Sequence, residues 1–251
     1  KKDLAKIADV LLETGAMLME SGANTGRIRV TVTRIVHSLG YQVELLITHR
    51  ALMVSVIDDN GKFYSSKLKR TQPHGVNFKV LSGISRMSWR VQDEDWNLDQ
   101  IKQELVRLKS LPHYPRWLVL LLVALSGAAF CHLFGGGWIE MSVAFIATFA
   151  GLFVRQEAIK RNFNPYLCVL FASITASLLS GLAVKLGVGE HPELAFATSV
   201  LFLVPGVPLI NSFTDLIDGN ISIGIVRGTN GLIIAFSIAL GLLAAMVIFN
   251  I

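Results

Sequence analysis

Charge is scarce beyond residue 112, and the whole 251-residue chain has only two cysteines. Residues 1–112 hold 17 of the 23 Lys and Arg and 12 of the 18 Asp and Glu, so the rest of the chain has only six of each sign. So few charges cannot give a domain of that size the polar surface that water requires. The second half is therefore not an ordinary soluble fold, and we expect lipid to surround it.

The two cysteines, Cys131 and Cys168, both lie in apolar segments. In the topology argued below they lie at opposite ends of two different spans, roughly 15 Å apart in depth at about 1.5 Å per residue. A disulfide joins Cα atoms that are no more than about 7 Å apart. We therefore expect two free cysteines that pack as small apolar side chains.

Motifs for catalysis and for cofactors are also missing. The sequence has no Cys/His cluster, no glycine-rich phosphate loop and no nucleophile elbow, and we interpret the acidic run Asp93-Glu94-Asp95 as a solvated turn. We therefore expect no catalytic residue, no metal and no cofactor. The net charge of +5 falls entirely within residues 1–112, and it indicates attraction to anionic lipid rather than to nucleic acid.

Residues 1–112, called the head below, are predicted to form a soluble α+β domain. Apolar residues at helical spacing predict two opening helices, the second capped by Asn24 or Thr25. β-Rich runs follow at residues 41–48, 51–57 and 62–68. Asp58-Asp59-Asn60-Gly61 is a typical hairpin turn, and Val76–Leu81 is interpreted as a further strand. Two more helices are predicted around residues 85–92 and 98–111.

The remaining residues, 113–251, are predicted to form a transmembrane helical domain. Tyr114-Pro115-Arg116-Trp117 combines aromatic rings and a cation, which is typical of the point where a span leaves the headgroups. Five apolar segments follow, at about 117–134, 138–154, 166–186, 194–217 and 222–248. Each is long enough to cross about 30 Å of hydrocarbon.

The basic connecting loops lie on alternate sides of these five spans. The head, the second loop and the fourth loop carry the cations, whereas the first and third loops do not. Because basic loops favour the cytoplasmic side, we expect the head in the cytoplasm and the carboxyl terminus in the periplasm.

The fourth span contains the run Pro205-Gly206-Val207-Pro208. Two prolines and a glycine remove backbone donors, so a break in the helix is expected in mid-membrane, and such breaks often bind a substrate or an ion. Asn211, Ser212 and Thr214 follow directly and favour a site. The alternative is a kink whose freed carbonyls are satisfied by neighbouring helices. The candidate substrate-binding residues here are Pro205, Gly206, Pro208, Asn211 and Ser212.

Ionisable side chains near the ends of the spans are the other candidates. Arg155 and Arg227 fall on the cytoplasmic side, where a carboxylate leaving the cell would enter, and Asn230 could extend that mouth. The alternative for each charged residue is a long side chain that reaches the headgroups.

Several motifs resemble those of the threonine/serine exporter family. They are Tyr114-Pro115-Arg116-Trp117, Gly135-Gly136-Gly137-Trp138, Arg155-Gln156 and the run from Val204 to Asn211. Within the family the sequence is most similar to the larger subunit of the two-component succinate exporters of Gram-negative inner membranes, and the likeness extends to Gly15 and Gly22-Ala23. The resemblance implies secondary active export of a small polar metabolite, with a smaller membrane subunit that completes the transporter.

We therefore interpret the chain as a subunit of an inner-membrane exporter of a succinate-like dicarboxylate. Asp215 or Glu157 would carry a proton if export is coupled to the proton gradient. Threonine or serine is the alternative substrate, and it would require a carboxylate facing its ammonium group. From another class, the head could be an enzyme or a sensor tethered by a passive bundle. A broken helix usually faces a second one, so the single strong break favours a partner or self-association.

Overall fold

The computed structural model describes residues 2–57, 64–71, 75–112 and 114–251, and it is mainly helical with one small sheet. The chain divides into two compact units. The first comprises Lys1–Pro112 and Val207–Thr229, and the second comprises His113–Gly206 and Asn230–Ile251. The end of the predicted fourth span therefore belongs to the same unit as the head.

The head opens with two helices, α1 (Lys2–Glu20) and α2 (Thr25–Ser38). The side chain of Asn24 accepts the backbone N–H of Arg27 at 2.8 Å, which satisfies one of the amides that a helix leaves unpaired at its start. Asn24 is therefore the cap, and Thr25 is the first residue of α2.

Three antiparallel strands form the sheet in the order β1 (Gln42–Ile47), β2 (Ala51–Ile57) and β3 (Tyr64–Arg70). Alternate residues of β2 are buried in the core of the head, as expected for a strand with one covered face. Helix α1 packs closely on this face, because a Cβ on Gly15 would collide with the side chain of Leu52. The predicted hairpin turn at residues 58–61 lies outside the described residues.

The prediction of a strand over Val76–Leu81 is wrong. Helix α3 spans Phe78–Asp93, and the side chain of Asn77 caps it by accepting the N–H of Val80 at 3.2 Å. A short apolar run has no period long enough to distinguish a strand from a helix, so the cap decides the outcome. Helix α4 (Leu98–Lys109) completes the head, and it begins with a capping box between Asn97 and Gln100.

Among the described residues, six helices and one 3-10 turn follow residue 112. They are α5 (Arg116–Leu133), α6 (Trp138–Lys160), α7 (Pro165–Leu186), α8 (Pro192–Thr198), the 3-10 turn (Leu201–Leu203), α9 (Gly206–Ile217) and α10 (Ile221–Phe249). Four of them are long and apolar enough to cross a membrane, or five spans result if Pro192–Leu203 and Gly206–Ile217 count as one interrupted span. The chain is therefore a multi-pass membrane protein.

The helices of the second unit approach each other through small residues, as close packing in lipid requires. A Cβ on Gly127 would lie 2.5 Å from Oγ1 of Thr148, so α5 and α6 touch at this point. On α10, Gly231 is buried, whereas Ala235 and Ala239 are exposed. Cys131 and Cys168 are buried and unbonded, which confirms the expectation of free cysteines.

The chain is not helical throughout the predicted fourth span. Val204 and Pro205 lie in no helix, α9 begins at Gly206, and Pro208 falls within its first turn. The first turn of a helix tolerates proline because its N–H groups have no partner within the helix. Both prolines are therefore compatible with an interruption between the 3-10 turn and α9.

Candidate functional site

The first unit contains a buried ion pair between α9 and α10. Nη1 of Arg227 lies 2.7 Å from Oδ2 of Asp215. Asp215 is fully buried and Arg227 is only 8% exposed. Two charges that are removed from water in this way require each other, because either one alone would be strongly destabilising.

The turn between α1 and α2 supplies the remaining partners of this ion pair. The backbone N–H of Thr25 donates to Oδ1 of Asp215 at 2.9 Å, and Nη2 of Arg227 donates to the carbonyl oxygen of Ala23, also at 2.9 Å. Because Thr25 is the first residue of α2, Asp215 also lies at the positive end of that helix, which stabilises a carboxylate.

Two polar residues of α9 extend this network. Nδ2 of Asn211 donates to the carbonyl oxygen of Gly22 at 2.8 Å, and Oγ of Ser212 donates to the carbonyl oxygen of Gly224 in α10 at 2.7 Å. Gly224 lets the two helices meet, because a Cβ there would lie 3.0 Å from the carbonyl oxygen of Ser212. We call Gly22, Ala23, Thr25, Asn211, Asp215 and Arg227 the Asp215 cluster.

The Asp215 cluster contains three of the predicted site residues, namely Asn211, Asp215 and Arg227, and Ser212 lies beside it on α9. Asn211 and Arg227 each donate to a backbone carbonyl of the head in this structure. A carboxylate that used either donor would have to replace that carbonyl oxygen. The alternative for charged residues was a long side chain that reaches the headgroups. Asp215 and Arg227 do not fit this alternative, because both are buried and paired with each other.

Arg155 lies in the second unit, near the carboxyl end of α6. Its side chain is half-buried, and its Nε atom is buried without a hydrogen-bond partner among the described residues. A buried donor of this kind normally finds an acceptor, so Nε of Arg155 is suited to bind an anion.

Glu157, the second candidate proton carrier, is already paired in this structure. Its Oε1 atom lies 2.5 Å from Nη1 of Arg116 and 3.5 Å from Nζ of Lys160. Arg116 also donates to Oε1 of Gln156 at 2.6 Å. Glu157 therefore joins the start of α5 to the end of α6.

Two further candidates lie elsewhere in the second unit. Oδ1 of Asn230 accepts the hydroxyl of Tyr166 at 2.6 Å, so this residue of α10 is tied to α7. A Cβ placed on Gly206 would meet no described atom within 4 Å, and Gly206 does not have a positive φ. The space beside the interruption is therefore open.

Sequence reasoning missed the residues of the head that contact the ion pair. Gly22 and Ala23 contribute carbonyl oxygens and Thr25 contributes an N–H, and such backbone atoms are the same in every residue type. The available signals were the helix cap at Asn24 and the similarity of Gly22-Ala23 to the exporter family. Tyr166 and Arg116 were assigned to the ends of spans but not to partners.

Comparison with known proteins places these features in a family. The threonine/serine exporter family model, ThrE, matches residues 9–249. The "Probable succinate transporter subunit YjjP" of Klebsiella aerogenes is 29% identical over 248 residues, which cover 98% of this chain and 95% of that protein. The protein of the same name in Escherichia coli K12 is 28% identical over 246 residues, 97% of this chain and 95% of that one.

More distant relatives bear another name. The "Threonine/serine exporter" of Corynebacterium glutamicum is 25% identical over 230 residues, which cover 86% of this chain and 46% of that protein. No solved structure matches the chain. Since the family model covers nearly the whole chain and its apolar helices are long enough to span a membrane, the chain is a membrane transporter, not an enzyme, and belongs to the threonine/serine exporter family.

Proposed function

We propose that the chain is one subunit of a secondary active exporter that moves a small dicarboxylate such as succinate out of the cell. A smaller membrane subunit would complete the transporter. We also propose that the complex lies in the bacterial inner membrane, with the head in the cytoplasm and the carboxyl terminus in the periplasm.

The unpartnered Nε atom of Arg155 is the structural observation that carries this proposal. A half-buried guanidinium in a helix that can span a membrane attracts an anion, and its planar donors match a carboxylate. A dicarboxylate needs a second cation, and Arg227 is the second arginine of the predicted cytoplasmic mouth. The near full-length similarity to proteins named succinate transporter subunits supports the same substrate class.

The interruption before α9 is a further proposed point of contact with the substrate. Pro205, Gly206 and Pro208 leave backbone groups without helical partners, and the amino-terminal end of α9 is favourable for negative charge. The open space beside Gly206 allows a ligand to approach the backbone closely. Asn211, Ser212 and Asn230 would then contribute neutral hydrogen bonds.

Asp215 is the better of the two proton-carrier candidates. It is fully buried and holds Arg227, so a substrate carboxylate that binds Arg227 would have to replace Asp215 as the partner of that cation. Glu157 is half-exposed and is shared between two cations. This arrangement would couple proton movement to substrate binding at a single residue.

A second membrane subunit is supported by two observations. The relatives named for succinate are named as subunits. Within the described residues, only one pair of helices forms an interrupted span, whereas transporters that use broken helices usually pair two of them across a repeat. The smaller subunit, or a second copy of the complex, would supply the facing element.

Export of threonine or serine is the second candidate function. The relatives in Corynebacterium glutamicum and Mycobacterium tuberculosis are named as exporters of these amino acids. A zwitterion requires an acidic partner for its ammonium group. Both acidic candidates, Asp215 and Glu157, are paired with arginine in this structure, which favours an anion over a zwitterion.

Arg155→Gln tests the proposal, with Arg161→Gln as its matched control. Arg161 is an exposed cation just beyond α6, so its loss changes the net charge in the same way without removing a buried donor. We expect Arg155→Gln to lower succinate uptake into everted vesicles that carry both subunits by at least about tenfold, the factor for about 1.4 kcal/mol, at unchanged insertion. Normal uptake by Arg155→Gln would remove Arg155 from the site.

A further inference from the structure

We propose that Thr25 is a positioning residue for transport, and that the turn Gly22–Thr25 makes the head a working part of the exporter. Through three backbone atoms, this turn would fix the positions of Asn211, Asp215 and Arg227. The proposal rests on the proposed function, because it gives these three side chains a role in transport.

The turn is held by the head itself. The N–H of Gly22 donates to the carbonyl oxygen of Met19 at 3.1 Å, and that of Ala23 donates to the carbonyl oxygen of Leu18 at 3.0 Å. Gly22 has a φ of +88°, which strongly favours glycine. Ala23 and Thr25 are almost fully buried, so the turn is closely packed where it contacts α9 and α10.

Within this turn, three residues bind three different side chains of the transport site. The carbonyl oxygen of Gly22 accepts from Asn211, that of Ala23 accepts from Arg227, and the N–H of Thr25 donates to Asp215. Two of these bonds involve a charged group and belong to the strong class of hydrogen bonds.

The next residue of α2, Gly26, also lies close to the chain that follows α9. A Cβ on Gly26 would lie 3.0 Å from Oδ2 of Asp218, the residue that follows α9. The first turn of α2 therefore lies against the connection between α9 and α10. A head that served only as a tethered domain would need only its covalent link at residue 112. This head also contacts the segment 207–229, about a hundred residues later in the sequence.

A substitution at Thr25 can remove the hydrogen bond from its N–H to Asp215 without changing any other group of the cluster. Thr25→Pro deletes the N–H that Asp215 accepts, yet proline is favoured as the first residue of a helix. Asn24, with φ −74° and ψ 165°, already has the extended conformation that a residue before proline requires. Thr25→Val is the matched control, because it keeps the N–H and removes only a hydroxyl whose Oγ1 has no hydrogen-bond partner among the described residues.

The full complex in vesicles is the system for the transport test, with both variants measured per inserted chain. Thr25→Pro should raise the apparent KM for succinate at least about tenfold, as expected when a charged group loses a well-placed partner. Thr25→Val should stay within about twofold of the unsubstituted protein. A structural defect alone would lower the amount of inserted protein and leave the KM unchanged, and that result would overturn the proposal.

Hydrogen exchange supplies a readout that does not depend on the substrate. In the purified complex, the segment 207–229 should exchange at least about tenfold faster in Thr25→Pro than in Thr25→Val, while α4 exchanges equally in both. Equal exchange of segment 207–229 would overturn the proposal even if succinate is transported. If the unsubstituted protein transports no succinate, the proposed function is wrong. The exchange rate of segment 207–229 then decides by itself whether the turn holds that segment in place.

Discussion

At the scale of single residues, the paired burial of Asp215 and Arg227 is the feature with the clearest energetic consequence. Asp215 has no access to water and Arg227 has little, and each has one backbone partner in the head besides the other charge. Stability and function can be separated here, because an apolar pair often replaces a buried ion pair without loss of stability.

Removing one charge and removing both should therefore give opposite results. We expect Asp215→Ala to destabilise the protein by about 3–5 kcal/mol, because Arg227 is then buried without its carboxylate. The double variant Asp215→Leu with Arg227→Met should recover most of this loss but transport nothing. Thermal unfolding in detergent measures the first effect and vesicle uptake the second. Transport by the double variant would show that the pair serves stability alone.

At the scale of helices, the contact between α9 and α10 depends on a glycine. A Cβ on Gly224 would lie 2.7 Å from Cγ of Leu216 and 3.0 Å from the carbonyl oxygen of Ser212. Gly206, at the start of α9, has open space instead. Changing Gly224 to alanine therefore tests helix packing, whereas changing Gly206 to alanine tests substrate access to the backbone.

Gly224→Ala should destabilise the protein by about 1–3 kcal/mol, because the added methyl group overpacks the contact between two helices. Gly206→Ala should leave the unfolding temperature unchanged, yet reduce transport if the substrate approaches the backbone there. Unfolding curves and uptake on the same preparations check both statements. Unchanged transport by Gly206→Ala would argue against a site at the interruption.

The sequence predicted most helices and strands, and the reasons for its errors are physical. α5, α6 and α10 are apolar over enough residues to cross a membrane, and this length identifies them as helices. Val76–Leu81 is too short for that, and the helix cap at Asn77 was not recognised as competing with the strand pattern.

The sequence predicted the candidate site only in part, because it shows residue types but not tertiary contacts. Prolines in an apolar run and charges near the ends of spans are visible in any sequence, which is how Asn211, Asp215, Arg155 and Arg227 became candidates. The pairing of Asp215 with Arg227 and with Thr25 depends on tertiary structure. No local pattern relates residue 25 to residue 215.

At the scale of the whole molecule, the first unit contains both the head and the chain that follows the interruption. This arrangement gives the head contacts with the candidate transport residues and supports a role beyond a tether. The family relationship establishes a membrane transporter.

Competition for uptake tests the central claim most directly. Everted vesicles that carry this chain with the proposed smaller subunit would be supplied with labelled succinate and a hundredfold excess of unlabelled succinate, threonine or serine. We predict saturable uptake that unlabelled succinate abolishes and that threonine and serine leave unchanged. Uptake of labelled threonine that succinate fails to inhibit, with no succinate uptake, would contradict the account.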